Sequence, residues 1–249
     1  MNGRRVVYGL HAVSAALQRR PGAVFEVFLD ARRGDPRVRR VADLAKAAGV
    51  PLHEADAGRL DGFAKGGRHQ GIAAFVEDVA LAASLNEVLD DLAEPAFLLV
   101  LDGVQDPHNL GACLRVADAM GVHAIVAPKD RATGLNATAH KVASGAAETV
   151  PFIAVTNLAR TLRELKDKGI VVVGAVEGEG GTLFEAKLSG PLAMVLGAEG
   201  EGLRRLTRET CDELISIPML GQVESLNVAV AAGICLYEAR RQRHKSTGR

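Results

Sequence analysis

From residue 96 onward, short and almost wholly apolar runs alternate with longer segments of helical period, and few folds accommodate that pattern. The runs are "AFLLVLD" (96–102), "HAIVAP" (123–128), "PFIAV" (151–155), "GIVVVGAV" (169–176), "LAMVLG" (192–197) and "ELISIPM" (213–219). Between and after them stand "NLGACLRVADAMG" (109–121), "NATAHKVASGAAE" (136–148), "NLARTLRELKDKG" (157–169) and "SLNVAVAAGICLYEARRQR" (225–243). A strand that is apolar on both faces must be covered on both. The pattern therefore predicts an α/β fold, a parallel sheet with helices front and back. Such a sheet takes its ligand beyond the carboxyl ends of its strands, so the turns after strands are where chemistry is sought.

The N-terminal stretch reads as a separate, smaller α/β unit over residues 1–76. "DPRVRRVADLAKAAG" (35–49) carries Asp35 as a helix cap, Pro36 at the first position and Gly49 past the end. Its apolar stripe is Val38, Val41, Ala42, Ala45 and Ala48. "AVFEVFLD" (23–30) and "GIAAFVE" (71–77) read as flanking strands. Residues 77–95 form an acidic linker. Within it, Ser84 and Glu87 have capping-box spacing, Leu85, Val88, Leu89 and Leu92 share a stripe, and Pro95 ends the helix. Residues 96–249 form the second domain.

A formal net charge of zero hides a pattern. Residues 1–75 carry 13 Lys and Arg against 7 Asp and Glu, residues 76–94 carry 6 acids and no base, and residues 95–238 carry 12 bases against 17 acids. The last 11 residues hold 5 bases and no acid. A basic N-terminal region and tail around an acidic body point to nucleic acid, although charge alone fits surface decoration equally well. No apolar stretch is long enough to span a membrane. No sustained apolar region follows Arg4 and Arg5, so no signal peptide is read. Cys113, Cys211 and Cys235 are odd in number and far apart, which fits neither a disulfide framework nor a zinc site. They suit a reducing, cytoplasmic location, and no metal is expected.

Three turns after strands carry candidate chemistry. In "LDGVQDPHNLGACLR" (101–115) an apolar helix opens after Asp106 and holds one arginine, Arg115. Arg115 either pairs with Asp118 on the helix surface or is held for use. In "VLGAEGEGL" (195–203) a strand runs into Gly197, Gly200 and Gly202 with Glu199 and Glu201 between them. Glycine admits close backbone approach, and carboxylates there would repel a phosphate but tolerate a cation or a ribose hydroxyl. In "SIPMLGQVESLNVAVAAG" (216–233) Ser225 stands as the helix cap, with Asn227 in the first turn. A fourth stretch, "VVVGAVEGEGG" (171–181), lacks the dinucleotide fingerprint and reads as a solvent loop, and the following "TLFEAKLSG" is weakly helical.

In this order, "DPHNLGACLR", "VLGAEGEGL" and "IPMLGQVESLNVAVA" resemble the three motifs of the SPOUT-class, TrmH-like RNA ribose 2′-O-methyltransferases, with "KVASGAAE" (141–148) adding to the match. "YGLHAVSAAL" and "RHQGIAAFV" resemble the substrate-binding domain of the branch that methylates a guanosine of bacterial 23S rRNA. The resemblance implies a sheet whose C-terminal part threads a trefoil knot, and an N-terminal RNA-binding domain. It implies S-adenosylmethionine held by backbone at Gly197, Ile217 and Leu226. The implied catalytic set is Arg115, Asn109, Glu199, Ser225 and Asn227, with Arg115 as the key residue. We read Arg115 as a planar fork that grips phosphate and the developing alkoxide, because a guanidinium surrenders a proton reluctantly. The implied partners are 23S rRNA, in its peptidyl-transferase loop, or an assembling large subunit, and a second copy docked through the apolar last helix. His69 reads equally well as an RNA contact or as a capping or core histidine. The rival readings are a nicotinamide-dependent dehydrogenase, a non-catalytic ribosome-assembly protein, and the same chemistry on tRNA or on a resistance-type rRNA adenosine.

Overall fold

Strand β5 (Phe97–Asp102) is buried along its whole length, and the larger sheet is built outward from it. The computed structural model describes residues 4–19, 21–30, 32, 34–77 and 84–246. They fall into two compact units, divided between Leu81 and Ala82.

In the second unit β5 pairs with β6 (Ala124–Pro128) on one side and β10 (Leu192–Gly197) on the other. Beyond β6 lies β7 (Phe152–Val155). Beyond β10 lie β8 (Val171–Ala175), β11 (Glu213–Ser216) and the two-residue β9 (Gly181–Thr182). Every pairing is parallel. The chain thus walks outward from β5, crosses to β8, and returns to insert β10 beside β5.

Helices cover both faces, as the two-faced apolar strands require. Phe97, Leu99 and Leu101 pack with α5 (Pro107–Met120), α6 (Ala137–Ala143) and α9 (Val228–Ser246). Leu98 and Val100 face the other way, toward α7 (Leu158–Asp167) and Val88 of α4 (Leu85–Asp90). The acidic helix of the linker therefore packs on this unit, capped by Ser84, whose Oγ accepts from Glu87 N at 3.3 Å. Residues 78–83 of the linker lie outside the described residues. The short α8 (Arg205–Thr210) lies between β10 and β11 in the chain.

The first unit is a four-stranded sheet in the order β1 (Arg4–Tyr8), β4 (Ile72–Glu77), β2 (Val24–Leu29), β3 (Leu52–Glu54). Alternation separates two cores. Val27, Ile72 and Ala74 pack under α1 (Leu10–Arg19) and α2 (Pro36–Ala47), while Phe28 and Ala73 pack under α3 (Ala57–Ala64). Asp35 caps α2 as expected, accepting from Arg37 N.

Several expected boundaries move. α6 stops at Ala143, because Ser144 takes a left-handed conformation (φ 51°) and a short 3-10 turn follows over Ala146–Glu148. The supposed weak helix after Gly181 is instead the end of β9 and a turn. α9 begins at Val228 rather than Ser225. Asn227 O accepts the first helical bond, from Ala231 N, and Asn227 Oδ1 accepts from Ala229 N at 3.0 Å. Asn227 is therefore the cap, and Ser225 lies in the loop before it.

Three arginines of the basic tail have partners within this unit. Arg240 donates to Met120 O and Gly121 O, the carbonyls that end α5. Arg243, 5% exposed, donates to the carbonyls of Pro95, Ala96 and Gly190. Arg241 makes a two-bond pair with Glu238, at 2.7 and 2.6 Å. That pair, through its hydrogen bonds first, holds the Glu238 carboxyl down to about 2. Residues 247–249 lie outside the described residues.

Candidate active site

The carboxyl ends of β8, β10 and β11 open onto one cleft, at the place where β10 has been inserted into the strand order. An open α/β sheet presents its ligand crevice at such a reversal. Ala175 to Gly178 line it after β8, Leu196 to Glu199 and Gly202 after β10, and Ile217, Met219 and Glu224 to Leu226 after β11. Val228 and Ala231 of α9 close it. Gly197, Ile217 and Leu226, the three residues expected to offer backbone to a cofactor, thus line one cleft with Glu199 and Ser225.

The turn after β10 closes on itself. Ala198 bridges Gly202, with Gly202 N donating to Ala198 O at 3.0 Å, and Gly200 and Gly202 take positive φ of 79° and 64°. A Cβ on Gly197 would lie 2.1 Å from the carbonyl carbon of Gly202. The turn's own backbone therefore requires glycine at 197, a reason separate from any ligand.

At the mouth of this cleft three motifs meet in one hydrogen-bond cluster. Glu199 Oε1 accepts from Asn109 Nδ2 at 3.1 Å, from Asn227 Nδ2 at 2.6 Å and from Val228 N at 3.3 Å. Asn227 Nδ2 also donates to Asn109 Oδ1 at 2.8 Å. Asn109 comes from the first turn of α5, Glu199 from the glycine turn, and Asn227 from the cap of α9. Each contact is set by a helix start, where main-chain amides are otherwise without partners and favour a carboxylate. Glu199 Oε2 and Ser225 Oγ have no hydrogen-bond partner among the described residues.

Arg115 stands outside this cluster. It lies six residues beyond Asn109 on α5, which is about 9 Å along the axis and a third of a turn around it. It is exposed, and among the described residues it has no ion-paired or hydrogen-bonded partner. The pairing with Asp118 does not form. Asp118 accepts instead from Thr149 Oγ1 at 2.6 Å. The neighbouring helix α9 carries an uncovered apolar stripe, Val230, Ile234 and Tyr237, exposed by 50, 38 and 63%.

Two features escaped the sequence reading. The loop taken for solvent, 175–178, is a wall of the cleft, and it brings in Glu177. Glu224 enters from the loop before α9. With Glu199 these make three carboxylates among the lining residues, and that lining holds no Lys, Arg or His. A strand followed by glycines was the available signal, but only the sheet order turns that loop toward the others.

His69 is explained locally. Its side chain is 13% exposed, Nδ1 accepts from Gly71 N, and Nε2 sits 3.2 Å from Asp61 Oδ1. It shapes the turn before β4. The thiols of Cys113 and Cys235 are pushed up to about 12 by burial, which makes them inert packing groups. Among the described residues no cluster of His, Cys, Asp and Glu could hold a metal ion, and no helix is long and apolar enough to cross a membrane.

Comparison with known proteins identifies the family of both units. Residues 96–237 match the SpoU rRNA Methylase family, and residues 6–81 match the RNA 2′-O ribose methyltransferase substrate binding family. A Ralstonia nicotianae protein named 23S rRNA (guanosine-2′-O-)-methyltransferase RlmB is 56% identical over 98% of both chains. Among solved structures, the SpoU methyltransferase AviRb from Streptomyces viridochromogenes, in complex with AdoMet, superposes with a TM-score of 0.74 at 25% identity. That match covers 98% of this chain and 92% of AviRb. A structure described as RNA 2′-O ribose methyltransferase gives 0.74 at 28% identity, over 97% of this chain and 89% of its own. With one family spanning the cleft-bearing unit and a companion family spanning the smaller one, the chain belongs to the SpoU rRNA methylases.

Proposed function

We propose that this protein transfers a methyl group from S-adenosylmethionine to the ribose 2′-oxygen of a guanosine in 23S rRNA. The observation that carries the reading is the meeting of Asn109, Glu199 and Asn227 on one oxygen at the rim of a cation-free cleft. The RlmB name of the full-length relatives supports the substrate.

The cleft fits the donor by charge. Bound S-adenosylmethionine supplies a methyl group activated on a sulfonium, and Glu177, Glu199 and Glu224 favour that cation. Backbone at Gly197, Ile217 and Leu226 holds the adenosyl portion without a competing positive charge. Asn109 and Asn227 fix Glu199 through Oε1. That leaves Oε2, with Ser225 Oγ, to orient the ribose hydroxyl for attack. A hydroxyl is a poor nucleophile, so the site must also stabilise the negative charge that develops on it. Arg115 supplies the positive charge that does so and grips the adjoining phosphate with its two-pronged donor set.

Within one chain Arg115 is turned away from the cluster it must serve. The uncovered stripe Val230, Ile234, Tyr237 on the neighbouring helix α9 supports a resolution. A twofold dimer through α9 buries that stripe and lets Arg115 of the partner subunit complete each site. The basic first unit adds phosphate affinity, which positions RNA without reading sequence. Arg39 and Arg40 on the exposed side of α2 are its leading contacts.

Mapping ribose methylation across 23S rRNA, from cells with and without the gene and after treatment with purified protein, tests the whole reading. A single guanosine should gain and lose its mark with the protein. An unchanged 23S map overturns the substrate, and absence of transfer to any RNA overturns the chemistry.

A further inference from the structure

Asp102 is a carboxylate with a relative exposure of 1%, at the carboxyl end of the central strand. In register it lies directly beside Gly197, the last residue of β10. Among the described residues its side chain is held by one partner, Arg204. Arg204 N donates to Oδ2 at 2.9 Å and Nε donates to Oδ1 at 2.5 Å, with Nη2 in ion-pair contact with Oδ1 at 2.5 Å. Arg204 is the residue on which the glycine turn ends and α8 begins.

The turn that carries Glu199 therefore has both its ends fixed against one strand end. Its entry is held by the β5–β10 ladder at Gly197, and its exit by the Asp102 carboxylate. Between them the backbone passes through two positive-φ glycines, a segment with little stiffness of its own. Three residues of that segment, Ala198, Glu199 and Gly202, line the cleft. Burying a carboxylate is costly, and an apolar pair of similar volume is often at least as stable, so stability alone is a poor reason for it. What a grip on both carboxylate oxygens, two hydrogen bonds and an ion pair, supplies is a fixed position.

We infer that Asp102 is a positioning residue: through Arg204 it holds the 198–203 turn in the shape that receives the methyl donor and presents Glu199. The inference rests on the methyltransferase reading above and names a residue outside the motif positions read from the sequence. Asp102 touches neither substrate in this account. It acts only through the turn.

The test uses the full chain and calorimetric binding of S-adenosylmethionine, beside thermal denaturation and amide hydrogen exchange without ligand. Asp102→Asn keeps the shape but removes the charge and turns one acceptor into a donor facing the guanidinium. It should weaken binding on the order of tenfold, and amides 198–204 should exchange faster. Arg204→Lys keeps the main-chain bond and the charge but loses the fork. It should fall between wild type and Asp102→Asn, and it serves where the latter does not fold. Leu162→Ala, in the core on the opposite face of the sheet, controls for general destabilisation. It should lower the melting temperature while binding stays within about twofold, since distant sites act independently. If both clamp variants melt earlier yet bind within about twofold of wild type, Asp102 is a stability residue only and the inference is overturned. A wild-type protein that fails to bind S-adenosylmethionine overturns the methyltransferase reading, and this inference with it.

Discussion

Asn227 serves two structures at once, and replacing it in two ways separates them. Asn227→Ala removes the α9 cap, worth about 1 kcal/mol. It also removes a charge-assisted bond to Glu199 worth about 1.5 kcal/mol and a neutral bond to Asn109 worth about 0.5 kcal/mol. The expected loss is thus about 3 kcal/mol, or about 6–12 °C in melting temperature for a unit of this size. Asn227→Asp keeps the capping oxygen that accepts from Ala229 N, and a carboxylate suits a helix start. But it sets a second carboxylate where Nδ2 sat 2.6 Å from Glu199 Oε1. Two such charges about 4 Å apart repel by about 1 to 4 kcal/mol between aqueous and partly buried limits. The repulsion raises the folded pKa of one carboxyl above its unfolded value of about 4.3. A raised folded pKa leaves stability intact at low pH and costs it as pH climbs through that window. The Asp variant should therefore be close to wild type at about pH 4 and clearly less stable at about pH 7. Urea unfolding at the two pH values checks this. An Asp variant as stable as wild type at neutral pH would refute the Glu199–Asn227 contact and with it the assembled cluster.

Four further outcomes follow from the geometry. Arg115→Lys should be nearly as inactive as Arg115→Ala in single-turnover transfer, a loss of about a hundredfold or more, with cofactor binding unchanged; recovery to within about threefold would rule out the fork. Arg39→Ala with Arg40→Ala should reduce the salt slope of RNA binding by about 0.7–0.9 for each phosphate no longer neutralised, and an unchanged slope would mean α2 faces away from RNA. S-adenosylmethionine should bind several-fold more tightly than its uncharged-sulfur product at low salt, since a carboxylate at about 7 Å would favour a unit positive charge by about 0.6 kcal/mol in a watery cleft. Half-molar salt should erase most of that preference, and equal affinities at low salt would contradict the charge argument. The Glu238 carboxyl, held down to about 2, contributes stability above its unfolded pKa of about 4.3 that is lost as pH falls toward 2. Glu238→Gln should therefore flatten acid unfolding in that window, and an unaltered acid limb would show the Arg241 pair to be idle.

Local rules reached the elements whose signals are local. Asp35 and Pro36 open α2, Ser84 caps α4, and the two-faced apolar strands led to the parallel sheet. They faltered where distant residues decide. Ser225 and Asn227 are both good caps, two residues apart, and the choice falls to Asn227 because Glu199 meets it from another element. The apolar pattern runs on past Ala143, so nothing nearby announces the left-handed Ser144. Glu177 reads as solvent loop until the strand order sets β8 next to β10. A run of arginines looks like a nucleic-acid tail, yet Arg240 and Arg243 find carbonyls more than a hundred residues upstream. The motif residues were legible as a set, but Arg115's separation from Asn109 emerges only once α5 is laid down with its faces.

The late insertion of β10 also sets an order of events on the ribosome. In the first unit β1 finds its partner β4 once Glu77 has been made, so that unit can finish early. β5, by contrast, keeps one bare edge while β6, β7 and β8 are synthesised, until Leu192 arrives opposite Phe97. The carbonyls of Pro95 and Ala96 wait longer still, for Arg243 in the last helix. Unpaired strand edges are sticky, and long-range pairings form slowly. A nascent chain of this protein therefore completes its smaller unit first and the cleft-bearing unit last. Chains cut short before α9 should be lost to aggregation rather than persist as partly active enzyme.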